Sequence, residues 1–522
     1  MDKVPQEGEI QELDWQRLAP IAILYFAASN VKKLISNLIY LIPAFAISYS
    51  SIKDSPITWL VILAVVLGFF VVNAALEYLF FTFKLSSNNI EIRSGIIAKK
   101  YLNLPFSRIQ NVTLEQPLYY RLHDLVCVIL DTAGSSQQEA KIVALPHAFA
   151  KQLKQQVLAE KNSQSSNITG TRHNDNNESH LNLEQDQEQE VLLNQRSLSD
   201  LIIHGFTNNR VWIIIGFLAP LYDDIARYIS SHLDSLGVEY QRYFDTQAQA
   251  LWQLGLAFFA IVAGIFLLVT LVSIIGSIVI FYDFTLSKIN GRYVRRSGLF
   301  TKQETTMRLS RIQVIALKQD WLDVLLKRVN LELKQSNSGT QAENQAQNSS
   351  KILVPSIRPD QALALLEDAF AINALRKVHF NAISRRFITR QCLVWLMPLT
   401  AIAATVAFNH FSLNALWLVV AVSLLLFIAV CCCWKRWGYA KDKDYIYIRK
   451  GIFGVDYYCF PIYKVQQTQY VQSYFMRRNG LANMHFVLAS GSLSVPFVAQ
   501  TTANIWLNET LSHVSEQRRS WM

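Results

Sequence analysis

Three glycines in the 522-residue chain carry the same basic signals at the same distances. The first stretch reads Ile90-Glu91-Ile92-Arg93-Ser94-Gly95-Ile96-Ile97, followed by Ser107-Arg108-Ile109-Gln110. The second reads Tyr293-Val294-Arg295-Arg296-Ser297-Gly298-Leu299-Phe300, followed by Ser310-Arg311-Ile312-Gln313. The third reads Ile446-Tyr447-Ile448-Arg449-Lys450-Gly451-Ile452-Phe453, followed by Tyr463-Lys464-Val465-Gln466. The glycine and the basic residue of the second motif are 13 apart in all three, so one module is present three times. A Lys or Arg held close to anionic headgroups is worth about 1 kcal/mol. Arg93, Arg295, Arg296, Arg449 and Lys450 are therefore candidates to hold a lipid headgroup, with Lys99, Lys100 and Lys302 beside them. Read more plainly, they are solvated turn residues, and that alternative stays open. Arg108, Arg311 and Lys464 are candidates for a face that meets a protein partner. Arg121 and Arg477 join them, each eleven residues past the motif glutamine, where the second copy has Val324. If that arginine binds, the middle domain is a spacer. Ile109, Ile312 and Val465 are expected in the core, with Gln110, Gln313 and Gln466 available to bond a neighbouring loop.

No other chemistry finds its residues. The chain lacks GxxxxGK[ST], HExxH, GxSxG and a glycine-rich dinucleotide turn. Ten histidines are scattered singly, and six cysteines include the adjacent Cys431, Cys432 and Cys433 but no CxxC. No catalytic residue, metal site or cofactor is expected. Asp223 and Asp224 would either line a transport path or end a short span at the outer interface. Cys431 to Cys433, beside Lys435-Arg436, suit span packing, with lipidation as the alternative. Asn167-Ile168-Thr169 matches a glycosylation sequon that a cytoplasmic position would leave unused.

These residues must be positioned by a membrane-bound framework. Half of the chain is hydrophobic, 17% is charged and the mean hydropathy is positive. That composition excludes a disordered protein and disfavours an ordinary cytosolic enzyme. Ser55 to Leu76, Thr246 to Tyr282 and Gln391 to Trp434 contain no Asp, Glu, Lys or Arg. About 20 such residues cross a bilayer core. The last run is broken at Asn409-His410-Phe411-Ser412 and reads as two spans, Leu34 to Ile52 makes another, and a shorter run, Val211 to Tyr222, completes six if it starts near Leu201. Of the 49 Lys and Arg residues, 46 then fall in segments on one face, which the positive-inside bias makes cytoplasmic. The first 20 residues are polar and acidic, so no cleavable signal peptide is expected and the first span serves for insertion.

Between the spans the chain reads as short strands. In the first copy these are Phe81 to Leu85, Ile90 to Arg93, Ile96 to Leu104, Val126 to Asp131 and Ile142 to Leu145, followed by a helix from Ala148 to Leu158. The third copy repeats this with His485 to Ala489, Leu493 to Phe497 and a helix from Thr502 to Val514. Glycine suits the hairpin turn because it accepts positive φ without penalty. Two polar stretches, Lys161 to Glu190 and Gln335 to Ser350, are too polar to pack. Trp15-Gln16-Arg17-Leu18, Gln195-Arg196-Ser197-Leu198 and Arg376-Lys377-Val378-His379-Phe380 read as amphipathic leads lying on the inner membrane surface.

Paired spans followed by a β-domain bearing R-x-G and then [SY]-[RK]-[IV]-Q resemble the membrane-flanked bacterial pleckstrin-homology-like domain proteins, in particular the YdbT-like group with tandem copies. The resemblance implies a bacterial inner-membrane protein, barrels of seven strands capped by one helix, no catalytic activity and a shorter single-copy relative as a candidate partner. The expected fold class is a multi-pass α-helical membrane protein with three pleckstrin-homology-like β-barrel domains. Its parts are an N-terminal lead (1–33), hairpin 1 (34–80), domain 1 (81–158), a polar linker (159–200), hairpin 2 (201–280), domain 2 (281–371, with its insertion 335–350), a second lead (372–390), hairpin 3 (391–434) and domain 3 (435–515). The expected function is a non-enzymatic scaffold. It binds anionic headgroups or protein partners, in envelope maintenance or stress tolerance, with termini and domains cytoplasmic. The rival is a transporter or lipid-handling channel gated by the β-domains, which the apolar spans disfavour. A nucleic-acid role is disfavoured because the positive charge forms no aromatic-basic stripe.

Overall fold

The computed structural model describes residues 15–31, 56–86, 89–95, 99–132, 140–168, 190–207, 251–335, 351–371, 373–410 and 413–516. The chain divides into two compact units. One is Met1–Gln187 with Arg210–Ser273 and Arg296–Thr305; the other is Glu188–Asn209 with Ile274–Arg295 and Thr306–Met522.

In the first unit, alternation of apolar and polar residues produces short antiparallel strands. A four-stranded sheet runs β1 (Gln16–Arg17), β2 (Thr82–Leu85), β3 (Asn89–Ser94), β4 (Lys100–Pro105), in that order. β5 (Ile109–Pro117), β6 (Leu125–Thr132) and β7 (Ala140–Pro146) pair in sequence. Phe83, Leu85, Ile90, Ile92 and Leu104 meet Ile109, Val112, Val126, Val128 and Ile142 in one core. The helix His147–Ile168 covers it with Ala150, Leu153 and Val157. Seven strands and one capping helix are thus present, and burying one face of each strand is what holds the two sheets together.

The first lead forms part of a sheet. Gln16 and Arg17 make a strand paired with Phe83 and Thr82, and Leu18 enters the core. The hydrogen bonds that an isolated lead would leave to water are here satisfied by the sheet. Short strands adjoin the other two leads, before Arg196 and after Phe380. β8 (Val191–Gln195) pairs with β9 (Thr285–Ile289), and β15 (Asn381–Ala382) pairs with β16 (Gly438–Lys441). In each repeat the apolar segment is therefore an insertion between a lead strand and the next strand, whose pairing brings the two ends of the insertion together.

The second unit contains a seven-stranded sheet, order β14 (Lys351–Ile357), β13 (Val329–Gln335), β12 (Ile312–Lys318), β18 (Asp456–Pro461), β17 (Tyr445–Lys450), β16, β15. A three-stranded sheet, β19 (Val465–Val471), β20 (Leu481–Leu488), β21 (Gly491–Ala499), completes the third domain under the helix Gln500–Glu516. The seven-stranded sheet joins the second half of repeat 2 to the first half of repeat 3 through β12 and β18. Both its faces are buried. Ile315 and Leu317 face one core and Val314 and Ala316 the other. This is why Ile312 to Leu317 is a nearly unbroken apolar run rather than an alternating one.

Strand boundaries move slightly from the expectation. The third strand of repeat 1 starts at Lys100 rather than Ile96, and the helix expected to end at Leu158 continues to Ile168. The turn glycines behave as expected. Gly95, Gly298 and Gly451 all have positive φ, and a Cβ at Gly298 would fall 1.9 Å from the carbonyl oxygen of Thr301.

Among the described residues two helices are long and apolar enough to cross a membrane, Arg386–Asn409 and Leu416–Arg436, on either side of the expected break. The helices Pro56–Leu79 and Leu251–Phe281 occupy two other expected spans, with shorter apolar stretches at Gly68–Leu79 and Phe266–Phe281. Leu34 to Ile52, Val211 to Tyr222, Asp223, Asp224 and most of the two polar stretches lie outside the described residues.

Candidate functional site

Arg93, Arg296 and Arg449 occupy the same place, two residues before the turn glycine, and meet three different environments. Arg93 is exposed on β3, with its guanidinium 3.5 Å from the centroid of Trp15 and 5.3 Å from that of its cross-strand neighbour Tyr101. Arg296 donates from Nε to Glu304 at 2.9 Å. Its neighbour Arg295 is 9% exposed, lies over Phe281 and Phe284, and burial draws its pKa down to about 10. A headgroup at the membrane surface does not meet a side chain so enclosed, so Arg295 is removed from the candidates.

Arg449 is placed differently. Its Nε donates to the backbone oxygen of Arg436, the last residue of the helix Leu413–Arg436, at 3.0 Å, and its guanidinium lies 5.1 Å over Phe380. Gly438, opposite Arg449 on β16, makes room: a Cβ there would come within 3.1 Å of Phe380 and 3.4 Å of the guanidinium. Arg449 lines a cavity of about 580 Å³ with Cys432, Lys435, Arg436, Ile452 and Phe453. Lys435 and Arg436 stand in the last turn of the helix Leu413–Arg436, where cations complement the helix dipole. No carboxylate is paired with Arg449, Lys435 or Arg436 among the described residues. Ile452 and Phe453, at the hairpin tip, are 51% and 60% exposed. Ile452 also borders an apolar groove of about 330 Å³ between the helices Arg386–Asn409 and Leu416–Arg436, lined by Phe387, Trp395, Leu399, Leu426 and Val430. Three cations beside an apolar tip and groove, at the end of a helix able to span a membrane, can hold a phosphate with an acyl chain attached. Lys450, next along, lies 4.7 Å over Tyr458 and outside this group.

The second motif has a structural role that its sequence hid. Arg108, Arg311 and Lys464 each end a short 3-10 turn. Arg108 is exposed, and Arg311 is half-buried with its pKa drawn down to about 10, first by burial and then by Arg308 and Arg292. Lys464 is 2% exposed, its Nζ donating to the carbonyl oxygens of Ser310 at 2.7 Å and Ile312 at 2.6 Å. It is not on a partner face; it ties the turn of repeat 3 to the same turn of repeat 2. Burial lowers its pKa to about 8. Arg121 likewise donates to the carbonyl oxygen of Leu299, the residue after the second turn glycine, at 2.5 Å. Arg477, its counterpart in repeat 3, is exposed at the end of the helix Tyr474–Arg478. Ile109, Ile312 and Val465 are buried as expected, Gln313 is buried and Gln466 is exposed.

The repeats join strand to strand in one register. Leu114 lies opposite Glu304 and Thr113 opposite Thr305; Leu317 lies opposite Tyr457 and Ala316 opposite Tyr458. In both cases the fifth residue after the motif isoleucine meets the sixth after the next turn glycine.

The Bacterial PH domain family model matches residues 37–161, 248–368 and 394–510. The UPF0699 transmembrane protein YdbT of Bacillus subtilis (strain 168) is 21% identical over 329 residues, covering 62% of this chain and 63% of that protein. The alignment thus leaves more than a third of the relative unmatched. No solved structure matches. The three matched regions, the three turn glycines and the threefold sheet pattern coincide, and the chain belongs to the Bacterial PH domain family as a YdbT-like protein with tandem copies.

Proposed function

We propose that this protein is a membrane-anchored, non-enzymatic binding platform whose third PH-like domain holds an anionic phospholipid headgroup. Six spans place the termini and all three β-domains on the cytoplasmic face of a bacterial inner membrane, where such lipids and protein partners are met. The observation that carries the reading is the cavity of Arg449, Lys435 and Arg436, three cations without a paired carboxylate among the described residues, at the end of a helix apolar enough to span. Arg93 and the half-exposed Arg296 are weaker candidates, one stacked between aromatic rings and the other paired with Glu304.

The test is lipid retention by the full chain in detergent, measured by native mass spectrometry with added phosphatidylglycerol or phosphatidylcholine. Phosphatidylglycerol should be retained preferentially. Lys435→Gln, which removes an exposed charge without touching the sheet, should weaken that retention about fivefold, the equivalent of one interfacial charge. Equal retention of the two lipids, or no effect of Lys435→Gln, refutes the reading.

A further inference from the structure

The two ends of the repeat array are complementary strand edges. β4 is an outer strand of the first sheet and β19 an outer strand of the last. Inside the chain, the strand corresponding to β19 is covered twice by the strand corresponding to β4: β5 receives β11 (Thr301–Arg308), and β12 receives β18. Both junctions keep one register, and β4 and β19 sit at the same distances from their own turn glycine and motif residue as the strands that pair.

We propose that β19 of one chain pairs antiparallel with β4 of a second copy, head to tail, continuing the internal junction between molecules. The shared register sets Tyr470 opposite Tyr101 and Gln469 opposite Leu102. Tyr101 is 63% exposed and Gln469 is exposed, so both are accessible in the single chain. A pair of tyrosines is a favourable cross-strand combination. Arg477 provides a second match. Its counterpart Arg121 reaches the carbonyl just past the turn glycine of the next repeat, and Arg477 is exposed and makes no such contact among the described residues. The turn at Gly95 of a second copy supplies one.

Polar side chains on the two edges do not argue against pairing. The internal junction is itself polar, with Gln303 Nε2 donating to Glu115 at 3.2 Å and Glu304 opposite Leu114. β19 carries no proline among Val465 to Val471, and β4 only at its last residue, Pro105, beyond the stretch that pairs. β19 reads Val-Gln-Gln-Thr-Gln-Tyr-Val, as polar as the covered β5 (Ile-Gln-Asn-Val-Thr-Leu-Glu-Gln-Pro), an edge soluble when alone and able to exchange main-chain hydrogen bonds when a partner arrives. Because the two surfaces differ, the contact is heterologous and yields rings or open rows in the membrane plane.

The test uses two full-length chains that keep the buried Cys127 and Cys459 and lack the other four cysteines. One carries Tyr101→Cys and the other Tyr470→Cys. Opposed residues in this register are within disulfide reach. Oxidation of membranes containing both chains should give a disulfide-linked dimer, and membranes containing either alone should give none. The pair Tyr101→Cys with Gln467→Cys, out of register, should cross-link weakly. No dimer from the mixed chains, although both cysteines react with maleimide, overturns the proposal. So do a dimer from one variant alone, equal yields from the two pairs, or cross-linking to a different protein in place of a second copy. Arg477→Ala should weaken self-association of the otherwise unaltered chain in detergent about tenfold, as expected for one charged hydrogen bond, and unchanged association overturns its part.

Discussion

Replacing Glu304 by Gln tests whether the junction between repeats is held by charge as well as by strand pairing. Glu304 stands on β11, opposite Leu114 of β5, and accepts from Lys154 of the first capping helix at 2.5 Å and from Arg296 at 2.9 Å. Burial alone would raise its pKa, but Lys154 and then Arg296 outweigh burial and hold the carboxyl at about 2 instead of 4.5. That difference corresponds to about 3 kcal/mol at neutral pH. With Glu304 29% exposed, solvent screening trims it to ~2 kcal/mol. Glu304→Gln should therefore lower the thermal midpoint of the full chain in detergent by ~4–8 °C at pH 7, read by tryptophan fluorescence. A depressed carboxyl contributes its stability above the unfolded value and loses it as the native group titrates. The gap between wild type and variant should accordingly be complete above pH 4.5 and close as the pH falls towards 2. A gap that stays constant across this range, or no gap at pH 7, refutes the reasoning.

Lys464→Met leaves the carbonyls of Ser310 and Ile312 without their charged donor and should cost ~2–3 kcal/mol at pH 7 in the same assay. Because burial lowers the native pKa of Lys464 from 10.5 to about 8, the unfolded chain binds the extra proton between those values, and wild type should gain stability over the variant as pH rises through that window. For topology, a single cysteine in place of Asn409, exposed at the tip of the last helical pair, should be labelled from outside the cell. One in place of Lys443, exposed on the third β-domain, should be labelled only after permeabilisation. Labelling of both from the same side would place that helical pair and its domain in another arrangement.

The hairpin strands and glycine turns were legible because their causes are local. Ile90 and Ile92 alternate with polar neighbours, and Gly298 stands where a Cβ would meet a carbonyl. The lead strands were not legible, because Gln16 and Arg17 are too few to show a period of two and their partners Phe83 and Thr82 follow an entire helical insertion. Lys464 was misread for a related reason. A lysine in a short turn reads as exposed until the equivalent turn of another repeat is laid upon it, a relation that sequence neighbours do not carry. One signal was available. The apolar run Ile312 to Leu317 marks a strand buried on both faces, and that run is visible without the structure.

Repetition alone would have assigned Arg93, Arg296 and Arg449 one task. Their surroundings divide it. At the start of the array an aromatic residue just before the lead strand, Trp15, lies under the arginine, and at the end Phe380 does the same from the same position. In the middle, Glu304 takes the arginine's charge and spends it on the junction with the first domain. Only in the third repeat does the preceding helix end in further cations, Lys435 and Arg436; the first and second end in Glu77-Tyr78-Leu79 and Ile280-Phe281-Tyr282-Asp283. The three turns therefore carry a stacked arginine, a neutralised one and a cluster of three positive charges. The last of these is the most favourable to an anion, because nearby like charges add and no carboxylate is paired with them among the described residues. Duplication supplied three similar turns, and the side chains around each leave only the third with its arginine beside further unpaired cations among the described residues.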